Sequence, residues 1–248
     1  MADQGIRLRT PQPKLRSNRI VDEITEYLRN LILDHELRPG TVLLQTEWAE
    51  RLGVSRTPLR EAFRLLESDG LVRITNGNRT VEVVQYTSDD LRDLYELREM
   101  VDGLAARLLA TRGPTPAVSR QMAKLLDEMD AASDPFHSST WFAAHTAFHV
   151  CIGTNCGNRQ LLSLLSVVRS TSMSLHATMA DHAEAADDDL NQILAVGREQ
   201  HREIYDAIQA GDGRRAERVA RKHITSTLRS DLIRRATERA TLADDDSA

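Results

Sequence analysis

Leu59, Ala62, Phe63 and Leu66 fall at i, i+3, i+4 and i+7, the spacing of one apolar helix face. Arg56, Arg60 and Arg64 repeat every fourth residue and lie off that face. Just before them, residues 47–52 predict a shorter helix whose apolar contacts are Trp48, Ala49 and Leu52. Gly53 ends it, because glycine tolerates the left-handed backbone of a helix C-terminus. Val54 plugs the turn, Ser55 or Thr57 caps the next helix, and Pro58 sits in its first turn, where a missing N–H costs nothing. Two short β-prone runs then flank Asn76-Gly77, a hairpin signal. Upstream, residues 20–33 carry an amphipathic helical pattern. Downstream, Thr87-Ser88-Asp89-Asp90 is a capping cluster that opens a long helix over residues 91–109. Gly113-Pro114-Thr115-Pro116 breaks the pattern. Helices are predicted near 117–132, 140–153, 158–180, 189–210 and 213–240, with no strand periodicity among them.

A helix, a tight turn, a second helix and a hairpin make a winged helix-turn-helix, one face of the second helix held by the core and the other offering guanidinium forks to a major groove. The expected fold is therefore mainly α: an N-terminal winged helix-turn-helix with a small β-hairpin wing, followed by an antiparallel α-helical bundle. The expected division is a flexible basic arm at 1–17, a DNA-binding domain at 18–86, an effector- and metal-binding helical domain at 87–241, and an acidic tail at 242–248. The acidic stretch 181–189 is read as a loop, and Asp244-Asp245-Asp246 as frayed.

Charge changes this picture only when it is divided. The chain's net charge is −5, yet residues 1–84 hold 13 basic and 12 acidic groups while residues 85–248 hold 19 and 25. Arg7, Arg9, Lys14, Arg16 and Arg19 crowd the start, as an arm that follows phosphates or as a disordered leader. No apolar stretch approaches the roughly 20 residues of a membrane span, and the N-terminus has no apolar signal core, so a cytoplasmic protein with no membrane partner is expected. Cys151 and Cys156 are not expected to form a structural disulfide in that compartment, and two thiols alone make a poor metal site.

Seven of the eight histidines follow residue 135. His145 and His149 are i, i+4, so both project from one helix face. His201 and His223 each sit within a separate amphipathic helix. Any one alone reads as a polar helix residue. Four on three helices match the way bundles build metal sites from inward-facing side chains on neighbouring helices.

The runs Arg38-Pro39-Gly40-Thr41, Ala49-Glu50-Arg51-Leu52-Gly53-Val54-Ser55-Arg56-Thr57-Pro58-Leu59-Arg60-Glu61-Ala62 and Leu66-Glu67-Ser68-Asp69-Gly70-Leu71-Val72 resemble the DNA-binding domain of GntR-family transcriptional regulators. The downstream part resembles the all-helical (FCD) effector domain of that family's FadR-type branch. The resemblance places DNA contacts at Ser55, Arg56, Thr57, Arg60 and the wing-tip Gly77. An arginine that some relatives carry in the preceding helix is Thr46 here, and the wing departs from the commoner Pro-Asn-Arg-Gly type. In the effector domain the resemblance places metal ligands at His149, His201 and His223, with His145 standing where relatives have aspartate. Four neutral imidazoles suit Zn²⁺ above all, with Ni²⁺, Co²⁺ or Cu²⁺ as further candidates, and leave the ion's charge uncompensated for an anionic ligand. Arg98 resembles a family arginine that often faces the effector pocket, where it would pair with a carboxylate, with an ordinary helix-surface salt bridge as the other reading; Asn158 after Gly157 resembles the family's Gly-Asn helix start, as an effector contact or as a helix cap.

These readings converge on a homodimeric, operator-binding regulator, a repressor in its usual arrangement, that recognises a pseudo-palindromic DNA operator. Its helical domain would bind a divalent metal and a small carboxylate effector. A pure metal sensor is the alternative, and a metallohydrolase with an accessory DNA-binding domain a further one. His145-Thr-Ala-Phe-His149 lacks the glutamate of a His-Glu-x-x-His site, and there is no nucleophile elbow or phosphate loop, so no enzymatic activity is expected.

Overall fold

The first helix, α1 (Ile20–Leu33), presents Ile24, Leu28, Leu31 and Ile32 to a small core, and all four are buried. The structure is a computed structural model that describes residues 20–33, 36–75, 80–172, 175 and 188–228. The chain divides into two compact units, residues 1–85 and 86–248.

In the first unit, β1 (Val42–Leu44) leads into α2 (Gln45–Leu52), then α3 (Arg56–Ser68), β2 (Val72–Thr75) and β3 (Thr80–Val83). Gly53 ends α2 at φ 65°, ψ 32°, in the left-handed region expected for its position. Leu59, Ala62, Phe63 and Leu66 are fully buried on α3, each contributing about 1.5–3 kcal/mol of apolar burial for the larger side chains. The wing is a three-stranded antiparallel sheet in the order β1-β3-β2. Thr75 pairs with Thr80 at the end of the hairpin, and Leu43 pairs with Val81 on the other side of β3. The hairpin pattern had not signalled β1, because three residues are too short to show alternation. Arg29 on α1 ties to Asp69 after α3 at 2.7 Å, joining the two helices that form the core.

The second unit is helical: α4 (Ser88–Arg112), α5 (Pro116–Ala131), α6 (Ser138–Asn155), α8 (Asp188–Gln209) and α9 (Gly213–Leu228). Between α6 and α8 lies α7, helical over residues 165–172. The predicted cap of α4 is a complete capping box: Thr87 Oγ1 accepts from the Asp90 N–H, and an Asp90 oxygen accepts from the Thr87 N–H. A single helix over 158–180 is not what forms. Arg159–Leu164 is a 3-10 turn, and α-helix begins only at 165. Helix α4 packs against α9 and α6, α5 against α6, and α8 against α9, burying one continuous apolar core. The arm, the wing tip at 76–79, the acidic segment 181–187, residues beyond 228 and the tail lie outside the described residues. Among the described residues no helix is long and apolar enough to cross a membrane.

Candidate functional site

On α3 the apolar stripe faces inward, so Arg56, Arg60 and Arg64 are exposed together. They differ in what holds them. Arg64 is paired with Glu61 at 2.9 Å, one helical turn back. Among the described residues Arg56 and Arg60 have no such partner, leaving both guanidinium forks available. Ser55 is the N-cap residue of α3 and Thr57 lies in its first turn, both exposed; the Ser55 side chain makes no capping hydrogen bond. Gly77 falls in the wing tip, outside the described residues.

In the helical unit the inward stripes of three helices carry histidine. On α6, His145 and His149 share the buried face with Trp141, Phe148 and Ile152. On α8, His201 stands in line with Leu194, Ile204 and Ile208; on α9, His223 follows Ala216 and Ala220. All four histidines are at most 4% exposed, and one ring nitrogen from each lies within 4.8 Å of the others. His149 Nε2 and His201 Nε2 face one another at 3.3 Å. Ligand nitrogens around a tetrahedral ion, with bonds of about 2.0–2.1 Å, stand roughly 3.3–3.4 Å apart. The donor set therefore fits a borderline transition metal.

The outer nitrogens are held in the manner such ligands require. His149 Nδ1 donates to Asp102 Oδ2 at 3.0 Å, and His223 Nδ1 meets Gln200 Oε1 at 2.8 Å. Each contact leaves Nε2 with its lone pair turned to the cluster. His201 hydrogen-bonds the backbone of Gly197. His145 stacks on Trp141, with ring centroids 5.0 Å apart and planes 14° from parallel, and its Nδ1 is buried without a partner.

Burial controls the protonation of the cluster. It pushes His201 down to about 3 and His145 and His223 well below the usual histidine range, and neighbouring positive charge adds to the effect. Burial also lowers His149, although Asp102 opposes it. Near neutral pH the four rings are consequently uncharged ligands. Burial would raise Asp102, but His149 and Arg98 outweigh it and hold the carboxyl below its ordinary range. Because His149 is itself neutral there, its share is an N–H hydrogen bond, and the compensating charge is that of Arg98.

Arg98 is 1% exposed and its Nε lies 3.2 Å from Asp102. Its Nη1 donates to Thr171 Oγ1 at 3.0 Å, while Nη2 is buried with no partner. The Arg98–Asp102 pair has no net charge, so it does not neutralise an ion held by the histidines. Asp102, Thr171 and Gln200 escaped the reading of the sequence. For Asp102 a signal existed: it lies on the apolar stripe of α4, four residues after Arg98 and in line with Leu91, Tyr95, Ala105 and Leu109.

A cavity of about 190 Å³ opens beside the cluster, lined in its depth by His145, His201 and His223 together with Trp141. Arg98 and Asn158 are not among its lining residues. Asn158 instead caps the 3-10 turn, its Oδ1 accepting from the Gln160 N–H at 3.0 Å.

Comparison with known proteins agrees with this division. Residues 20–81 match the family "Bacterial regulatory proteins, gntR family", and residues 93–226 match the FCD domain. A probable D-xylose utilization operon transcriptional repressor from Paenarthrobacter nicotinovorans is 29% identical over 87% of this chain and 90% of its own length. An uncharacterized HTH-type transcriptional regulator from Agrobacterium vitis is 34% identical over 49% of this chain and 72% of its own. Among solved structures, a putative GntR transcriptional regulator from Rhodococcus sp. RHA1 is 25% identical, with a TM-score of 0.62 over 87% of this chain and 96% of that one. E. coli McbR/YncC shares the fold, with a TM-score of 0.67 at 19% identity over 89% of this chain and 99% of that one. The Paenarthrobacter, Agrobacterium and Rhodococcus proteins are named as transcriptional regulators, and with more than half its length matching the FCD domain behind a gntR-type DNA-binding segment, the chain belongs to the GntR family of transcriptional regulators.

Proposed function

We propose that the protein is a homodimeric repressor that reads a pseudo-palindromic operator with Arg56 and Arg60, aided by Ser55, Thr57 and Gly77. In this reading His145, His149, His201 and His223 bind one divalent ion, zinc first, and a small carboxylate acting there changes operator affinity. The observation that carries it is the convergence of four buried, neutral imidazoles whose outer nitrogens are engaged by acceptors at His149 and His223. Bound there, the ion supplies a Lewis-acid centre for an anionic donor. The chain's own residues do the rest. Asp102 orients His149, Arg98 keeps Asp102 ionised, and Gln200 orients His223. The neutral Arg98–Asp102 pair leaves the ion's charge to attract an anion. The repressor sense is supported by the printed name of the Paenarthrobacter relative. An effector acts to the extent that it prefers one of two conformations, so operator affinity falls if the ligated form is the weaker binder.

Elemental analysis of protein purified without a His-tag or chelator tests the site. About one transition-metal ion per chain is expected, and none in the His201→Ala, His223→Ala double variant. Stoichiometric metal retained by that variant would overturn the ligand set. Titrating operator binding with metal in ligand-free buffer separates a pure metal sensor from a regulator that also needs an acid.

A further inference from the structure

We infer that the acid is a compact apolar-bodied monocarboxylate, of the benzoate type, and not a sugar acid or other polyhydroxylated ligand. The inference rests on the metal-and-carboxylate reading above and specifies its ligand. The cavity beside the histidines has two unlike walls. One is the histidine cluster; the other is built from Trp141, Leu175, Ile193 and Val196. Val196 is 45% exposed at this rim, an apolar side chain left in water beside a polar cluster. Covering it with an apolar ligand body removes that exposure.

Among the described polar side chains lining the cavity, Gln200, Ser226 and Thr227 are already engaged, while the exposed Gln192 has an amide to offer. Gln200 holds His223 through Oε1 and donates from Nε2 to Ser226 Oγ at 3.0 Å. Ser226 Oγ donates at 2.9 Å to the His223 carbonyl, and Thr227 Oγ1 does so at 3.0 Å. A polyol would bring several hydroxyls to a wall with few free partners, and a hydroxyl buried without a partner opposes binding. An apolar ring needs none. At about 190 Å³ the space exceeds the ~150 Å³ apolar cavity that accepts benzene.

Gly197 supports the same conclusion independently. Glycine in a helix interior costs stability and is usually justified by close packing. Here an added Cβ would meet only His201 Cε1, at 4.0 Å, an ordinary van der Waals contact. Among the described residues no neighbour requires glycine at this position; what its missing side chain preserves is open space over the His201 ring.

The test is calorimetric titration of zinc-loaded full-length protein with benzoate, D-gluconate and benzyl alcohol. Benzoate is expected to bind at least tenfold more tightly than gluconate, and benzyl alcohol, which has the ring without the carboxylate, at least tenfold more weakly than benzoate. Gly197→Leu, which projects a side chain into the cavity, should weaken benzoate tenfold or more, and Val196→Ser several-fold. Zinc content measured in the same samples distinguishes a filled cavity from an unfolded chain. Gluconate binding as tightly as benzoate would overturn the ligand class and leave the carboxylate reading standing. Benzyl alcohol matching benzoate would remove the carboxylate. Zinc-loaded protein that binds neither acid would sink the carboxylate reading and this inference with it.

Discussion

Acidifying the metal-free protein from pH 7.5 to 5.0 should destabilise the helical unit by about 2 kcal/mol through His201 alone. An unfolded histidine titrates near 6.5, whereas burial holds His201 at about 3. The folded-state value is depressed, so the stabilising contribution is complete above pH 6.5 and is lost as pH falls toward 3. At pH 5 the unfolded chain binds this proton about 1.5 pH units below its pKa, and the folded chain does not. At about 1.36 kcal/mol per unit, the loss is about 2 kcal/mol. His145, His149 and His223 are shifted in the same direction and add to it. Asp102 does not contribute in this window, because its lowered pKa keeps its stabilisation down to the ordinary carboxylate range. Urea unfolding of chelator-treated protein measures the effect. The chain has two tryptophans, so Trp48→Phe leaves Trp141, stacked on His145, as the only reporter. In a His201→Gln background the pH dependence should shrink by about 2 kcal/mol. Equal stability at the two pH values, or an unchanged dependence in that background, would refute the claim that the cluster is buried in neutral form. Zinc at a hundredfold its Kd should add about 2.7 kcal/mol at pH 7.5, and protons competing for the same nitrogens should remove that gain at pH 5.

Asp102→Asn removes the carboxylate that orients His149 and should weaken zinc about 10–100-fold in competition with a chelating dye; unchanged affinity would deny Asp102 that part. Arg60→Ala should cost about 1–3 kcal/mol of specific operator binding by fluorescence anisotropy. Arg64→Ala, whose side chain is already committed to Glu61, should cost clearly less, and the reverse order would reassign the reading face. Gly53→Ala forces a side chain into a backbone at φ 65° and should destabilise the first unit by about 1 kcal/mol; an unshifted urea midpoint would show that the turn relaxes.

Much of this protein is local and therefore legible in its sequence. The α3 stripe, the Gly53 stop, the Thr87–Asp90 box and the break at Gly113-Pro114 depend on residues within a turn or two of one another, and backbone sterics and helical period suffice to place them. The inward positions of the four histidines were legible for the same reason, since each lies on its helix's apolar stripe. What the period could not convey is which inward residues meet. His149 and His201 are 52 residues apart in the chain and 3.3 Å apart in space, and Arg98 reaches Thr171 across 73. Tertiary packing decided that Arg98, besides holding Asp102 one turn along α4, would reach Thr171 and not line the cavity. It also recruited β1, whose three residues become a strand only because β3 supplies their hydrogen-bond partners. Sequence determined the elements and their faces, and the helical pairs within a turn such as Arg98–Asp102, because those follow from neighbours along the chain; tertiary structure alone decided ligand convergence and cavity shape, because these depend on distances between elements that no local pattern encodes.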